Sequence, residues 1–394
     1  MMLGLLLARA GVEVVVLEKH ADFLRDFRGD TLHPSTLEVM HELGLLERLL
    51  GLRHEKIPRF SARFGEREVT IADLSRLPVR SPFIAMMPQW DFLDFLAGEA
   101  KRYAGFRLRM QAEVTGLIER EARIVGVRLG HEELLSDLVI GADGRHSTVR
   151  AAGRLPAEEF GVPMDVLWFR LSRRSADPGQ TMGLFGAGRI VVLLNRGDYW
   201  QCAYVIGKGA AEDVRRRGLP AFREGIVKVL PWLADRVAEL ADWEQIKLLT
   251  VRVDRLMKWW RSGLLCIGDS AHAMSPVGGV GINLAIQDAV AAANILARPL
   301  RDGTLSVKHL QAVQRRRDWP TRVTQRLQLA VQKQLIARAL SAEERFTPPL
   351  FVRLLRTFPL FSRIPARLIG LGVRPEHVRT SAAAPARAPQ GTRG

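Results

Sequence analysis

Cysteine is almost missing from this chain: Cys202 and Cys266 are the only two in 394 residues, far apart and without metal-type spacing. A disulfide scaffold and a metal site of zinc type are therefore excluded as organising principles, and a reducing, cytoplasmic setting is expected. No apolar run reaches the roughly 18 uninterrupted residues that a membrane span needs. The opening MMLGLLLARAGVEVVVLEKH lacks the basic start of a signal peptide, and Glu13 and Glu18 interrupt the residues after its short apolar stretch. Lysine is scarce as well, supplying nine of the 58 basic side chains. The chain is 47% hydrophobic and 25% charged, which excludes disorder and allows two or three domains, or one enlarged α/β domain with an insertion.

A formal charge of +16 invites a nucleic-acid reading, but the excess is local: residues 301–394 hold 18 basic and 5 acidic side chains, and the rest of the chain is nearly balanced. The basic residues follow no recognised nucleic-acid-binding pattern, so no nucleic-acid partner is expected. The segment PLFVRLLRTFPLFSRIPARLIGLG mixes Leu, Phe and Ile with Arg353, Arg356, Arg363 and Arg367. It suits either helices packed on the protein with Arg heads in water, or a peripheral contact with an anionic membrane surface.

Along the chain, Met1 to Ala10 are helix formers with an apolar face, Gly11 is a good left-handed helix end, and Val12 to Leu17 form a β-branched run closed by Glu18. The spacing predicts further helices over 36–50, 91–102 and 282–297, and a hairpin at 59–72. A helix over 305–340, interrupted by Pro320, is expected next, followed by two shorter apolar-basic segments and a disordered tail, SAAAPARAPQGTRG. From Met164 the pattern changes to longer strands rich in Trp and Tyr, read as an inserted, sheet-bearing domain that walls a pocket. Trp168, Phe169, Tyr199, Trp200 and Tyr204 lie on those strands, and alternation alone does not say which of them face a pocket and which a core.

Three stretches carry chemistry. A helix, a glycine turn and a strand ending in an acid form the second half of a dinucleotide-binding βαβ unit, in which Glu18 would take ribose hydroxyls; by itself, Glu18 is equally a plain strand end. An apolar strand then enters GADGRHSTVR, where Asp143-Gly144 makes a sharp turn and Ser147 can cap the next helix. In LLCIGDSAHAMSPVGGVGINLAIQDA a strand delivers Asp269 to a loop end, Pro276 stiffens the loop, and Gly278, Gly279 and Gly281 let main-chain amides approach a ligand ahead of a helix N-terminus. Such an end carries about half a positive charge and suits an anionic group. His272 reads as a packed loop residue, and no Ser-His-Asp, metal or paired-carboxylate constellation is evident.

In this order and at these separations the stretches resemble the class A FAD-dependent aromatic monooxygenases of the para-hydroxybenzoate hydroxylase type. FRGDTLHPSTLEVMHELGLLERL and MMPQWDFLDFL add to the likeness, which runs from Met1 to about Ala297. The resemblance implies an α/β fold: a Rossmann-type FAD-binding domain in two parts (1–163 and 263–300), a substrate domain at 164–262, C-terminal helices at 301–375 and a disordered tail at 376–394. It implies that Glu18 binds the adenosine ribose of FAD, that Arg28 and Gln89 contact its pyrophosphate and ribityl region, and that Asp143 and Gly144 lie near the pyrophosphate. Asp269 would hold the ribityl chain, Pro276 would border the flavin, and the amides of Gly278, Gly279 and Gly281, with Asn283, would face its pyrimidine edge. No amino-acid side chain is expected to act as a nucleophile, because the cofactor carries the chemistry. NADPH or NADH would reduce FAD, dioxygen would add to it, and a flavin hydroperoxide would hydroxylate a phenolic, polyketide-like or other aromatic molecule.

The chain departs from that family pattern at its start, where no strand and G-x-G-x-x-G loop precede the first helix. The missing strand would sit mid-sheet and leave edges exposed on both neighbours, so translation is expected to begin roughly 10 to 20 residues upstream. Two alternatives stand beside the main reading: a membrane-surface flavin monooxygenase of quinone-like or isoprenoid substrates, and a non-catalytic truncated relic.

Overall fold

The computed structural model describes residues 1–24, 30–65, 67–179, 181–186, 188–342, 349–357 and 359–383. Arg28 lies outside them.

The first helix, Met2–Arg9, is buried from Met2 to Ala8. Its small Gly4 brings it onto the following strand so closely that a Cβ there would stand 2.7 Å from Val16 Cγ2. That strand, Val14–Leu17, runs parallel to Phe106–Arg109. A second parallel pair joins Val139–Gly141 to Leu264–Cys266, the strands that deliver the two motif loops. Among the described residues neither Val14–Leu17 nor Val139–Gly141 has a second neighbour on its other edge, and both line one large cavity. The helix Gly281–Arg301 packs behind these strands, buried from Asn283 through Ala293 apart from Ala285. By length and composition alone the stretch Val277–Arg301 could cross a membrane, yet 67% of its apolar window is inside the fold. The first helix, this helix and both strand pairs share one hydrophobic core.

The inserted region builds a seven-stranded sheet in the order Lys247–Leu249, Met164–Ser172, Tyr199–Gly207, Arg189–Asn195, Met182–Gly186, Arg59–Phe64, Arg67–Asp73. The last two strands redraw the domain boundary. The hairpin at 59–73 adds to this sheet through the parallel pairing of Ala62–Phe64 with Gly183–Phe185, although the sequence reading puts it in the expected first part, 1–163. Conversely, Val253–Leu256 pairs with Ala157–Phe160, and Trp260–Arg261 with Leu264–Cys266, so the strands of 253–262 pair outside the seven-stranded sheet. One face of the sheet packs on the amphipathic helix Leu219–Val229, which buries Phe169 and Trp200 with Phe222 and Ile226 in a second core.

Two further expectations change. Pro320 does not break its helix, which continues over Val307–Val331 and passes through a π turn at Gln332–Ile336. Pro320 is itself buried in the packed face, and burial of Leu310, Val313, Thr321 and Gln325 on that face offsets the roughly 3 kcal/mol that an interior proline costs. Residues 376–383 are not a loose tail. Arg316 and Arg317 grip Glu376 at 2.6 and 3.3 Å, Asn294 bonds to His377 and Arg379, and Ala383 donates to Arg9 O at 2.7 Å. The low complexity that suggested disorder begins at Ser381, whereas most of these contacts come from the Glu376 carboxylate and the main chain of His377 and Arg379 just before it. The expected tail beyond Ala383 lies outside the described residues.

Candidate active site

A single cavity of about 2290 Å³ crosses the molecule. Ordinary small-molecule sites occupy about 300–1,000 Å³, so there is room for a dinucleotide and a second ligand together. Its length is set by elements far apart in sequence: the end of strand Val14–Leu17 with Glu18, the Asp143-Gly144 turn, the Asp269 loop, the glycine loop, and one face of the seven-stranded sheet.

Asp143 is held rigidly. Its carboxylate accepts the Ser147 hydroxyl at 2.5 Å and the Val149 N–H at 3.0 Å, capping the helix Thr148–Ala152. Gly144 turns the chain with φ +86°. Behind that turn the buried Arg150 bonds to Asp254, and Asp254 accepts the N–H of Ala273, so the two motif loops are tied to each other through a buried ion pair. On the cavity side Arg145 lies 3.7 Å from Asp269. Arg145, Arg150 and Asp254 went unnoticed in the sequence; the adjacency of Arg145 to the Asp143-Gly144 turn was the one available signal.

Asp288, fully buried on the long helix, braces the Asp269 loop. It accepts Gly268 N–H at 3.0 Å, His272 Nε2 at 2.5 Å and Arg317 Nε at 2.9 Å. Burial pushes the Asp288 carboxyl up, and His272 and Arg317 more than reverse this, so it stays below the usual range. His272 is packed, 1% exposed, beneath the Trp259 ring.

The glycine loop is shaped for close approach. Gly278 and Gly279 have φ of +78° and +62°, and a Cβ on Gly279 would stand 2.5 Å from Thr31 Oγ1. No side chain caps the N-terminus of the helix Gly281–Arg301, whose first turn opens on the cavity at Gly281 and Ile282. Pro276 lines the same wall. Asn283 differs from expectation, because its side chain points into the fold. Its oxygen accepts His33 N–H at 2.8 Å and the Thr36 hydroxyl at 2.7 Å, while its nitrogen donates to Thr31 O at 2.9 Å and Gly279 O at 3.2 Å. With every polar position used, the carboxamide staples the loop instead of meeting a ligand. Gln89 begins the helix Gln89–Ala100 and lines the cavity.

This is a fitting cradle for a dinucleotide carrying a ring with an anionic edge: a glycine loop and a positive helix end at one place, an acid at the far strand end, and apolar walls between them. Of the sheet aromatics, Trp168 faces the cavity, whereas Phe169 and Trp200 are in the second core and Tyr204 packs on Phe222. On the same sheet Phe60, Phe64 and Phe185 also line the cavity, the latter two stacked at 4.9 Å.

The FAD binding domain family matches residues 1–327. The chain belongs to that family. It is 33% identical over 346 residues to the 6-methylpretetramide 4-monooxygenase of Streptomyces rimosus, covering 85% of this chain and 81% of that one. Against the rifampicin monooxygenase of Streptomyces venezuelae it is 29% identical over 304 residues, 71% of this chain and 58% of the relative. The fold superposes on the OxyS anhydrotetracycline hydroxylase of Streptomyces rimosus with a TM-score of 0.73 at 22% identity, over 95% of this chain and 74% of the other. The protein is thus a flavoprotein oxidoreductase, an FAD-dependent monooxygenase, and the α/β architecture expected from its motifs is the observed one.

Proposed function

We propose that this monooxygenase hydroxylates an aromatic, polyketide-like small molecule with NADPH or NADH as reductant. The observation that carries the reading is the continuity of the cavity from the glycine loop to the aromatic wall of Trp168, Phe64 and Phe185. The names of the relatives agree, since one acts on 6-methylpretetramide and another on rifampicin. In balance, one oxygen atom of dioxygen enters a C–H bond of the ring, the other leaves as water, and the reduced nicotinamide supplies two electrons with a proton from solvent.

Bound FAD supplies the activation of dioxygen. Glu18 accepts from the adenosine ribose, the Asp143-Gly144 turn and Asp269 flank the pyrophosphate and ribityl chain, and Gln89 adds a contact from the opposite wall. The glycine loop from Gly278 to Gly281, with the helix end behind it, would favour negative charge on a ring held beside Pro276; there the Gly279 N–H already donates to Pro276 O, at 3.1 Å. The apolar sheet face excludes water from the reacting centre.

The test is to measure bound flavin and then NADPH oxidation over a panel of phenols, polyketides and quinones. A hydroxylated product with stimulated oxidation is expected; flavin-loaded protein that no aromatic stimulates would overturn the reading. Two free, buried thiols accord with a cytoplasmic location.

The helices Leu350–Thr357 and Arg363–Gly370 favour a second feature, peripheral membrane contact. With the turn Pro359–Ser362 between them they expose Leu350, Leu360 and Ile364 at 60–68% beside Arg353, Arg363 and Arg367, none of which has a carboxylate within 4 Å among the described residues. Salt-sensitive sedimentation with phosphatidylglycerol vesicles, lost in Leu360→Ser/Ile364→Ser, would support it; equal binding by the variant would refute it.

A further inference from the structure

The sheet wall of the cavity is apolar except at one end, and that end is built around a buried amide. Along the strand Tyr199–Gly207 the alternation sends Trp200 and Cys202 into the second core and turns Gln201, Ala203 and Val205 toward the cavity. Gln201 pairs across the sheet with Leu194 and is 5% exposed. Its oxygen accepts Arg196 Nε at 3.0 Å, and its nitrogen donates to Asp30 Oδ2 at 3.3 Å. Arg196 also pairs with the same Asp30 oxygen, closing a three-residue ring.

This ring removes the ambiguity of a glutamine. The guanidinium can only donate and the carboxylate accepts, so the amide cannot flip without setting donor against donor and acceptor against acceptor. Asp30 is placed firmly in turn: it is 8% exposed, its main chain accepts from Met87 N–H at 3.0 Å, and the next residue, Thr31, donates to Gly279 O of the cofactor loop at 2.9 Å. Nε2 carries two protons, and among the described residues one acceptor is present for them. A buried N–H without a partner costs about 1–3 kcal/mol, and an incoming oxygen removes that cost.

We propose that Gln201 is the substrate-orienting residue: its locked carboxamide donates one N–H to a carbonyl or phenolate oxygen of a multi-ring substrate, while Arg196 and Asp30 fix its direction. The apolar remainder of the wall receives the hydrocarbon face, so an oxygenated edge is read at one end only. This rests on the hydroxylase reading and names what that site selects.

The experiment compares the FAD-loaded wild type with Gln201→Met, close in length but with no donor, and Gln201→Glu, isosteric but an acceptor. The probes are alizarin, a hydroxylated anthraquinone, and anthracene, the same three rings without oxygen. Binding is read by tryptophan fluorescence quenching and by the shift of the visible flavin band, neither of which needs turnover. Both variants should bind alizarin about 10- to 100-fold more weakly, keep anthracene within about twofold and retain their FAD. Steady-state rates with any turned-over phenol should show the loss chiefly in KM. Equal weakening for both probes would mean a collapsed wall and would overturn the proposal, as would unchanged alizarin binding or a wild type that ignores alizarin. Selective loss without hydroxylation by the wild type would sink the hydroxylase reading alone.

Discussion

The carboxamide oxygen of Asn283 accepts the Thr36 hydroxyl at 2.7 Å, joining residues 247 positions apart. With its bonds to His33, Thr31 and Gly279, this one side chain fixes the glycine loop against the helix Pro34–Glu42. Asn283→Ala leaves two buried donors and two carbonyls short of partners. A loss of about 2–4 kcal/mol in urea unfolding is expected, with FAD released more readily on gel filtration.

Gly279→Ala forces a side chain into left-handed backbone and against Thr31. Strain of about 1–3 kcal/mol falls on the loop and not on the core. The expected result is FAD affinity about 10- to 100-fold weaker by fluorescence titration, with apoprotein melting nearly unchanged.

Asp288→Ala takes the acceptor from Arg317 Nε, His272 Nε2 and the Gly268 N–H in the interior, leaving Arg317 with Glu376 alone as an ionic partner among the described residues. Breaking a buried pair in this way costs about 3–5 kcal/mol. The urea midpoint should fall accordingly, and Asp288→Asn, which keeps one acceptor, should lose less.

Burial holds the His33 imidazole down at about 4, against an ordinary 6.5, with its Nδ1 on Ile369 O at 2.6 Å. The depressed value means that the folded ring stays neutral while the unfolded chain takes up a proton. Stability from this residue is therefore complete above the ordinary value and lost as pH falls from 6.5 toward 4. A loss of about 2 kcal/mol near pH 5 is expected from the two values. His33→Gln should flatten that part of the pH profile, measured by urea unfolding.

What was legible in the sequence was local grammar. A strand entering Asp143-Gly144, and another entering Asp269 ahead of a glycine loop and a helix, are written within about twenty residues each, and the structure brings both to one cavity. Pairings across the chain were not legible. The hairpin at 59–73 could be read as a hairpin, but its neighbour, Gly183–Phe185, gives no local sign of it. Asn283 was read as facing a ligand with the glycine loop, yet it sits in the first turn of the helix Gly281–Arg301 and its partners His33 and Thr36 turn it inward. The strand aromatics were undecided by alternation because both sheet faces are apolar; the helix Leu219–Val229 chooses the face of Phe169 and Trp200.

Arg9 donates to Thr380 O at 2.7 Å and accepts the Ala383 N–H, so the first helix is clasped by main chain 371 residues further on. Closing so long a loop is slow, because its entropy must be lost before the contact gives anything back. On the ribosome, the helix Met2–Arg9 emerges long before its packing partner Gly281–Arg301 and the clasp at Arg9 are made, and its Leu-rich surface has to wait. Synthesis of residues 380–383, more than emergence of any motif, is then the event that completes the clasp on this helix.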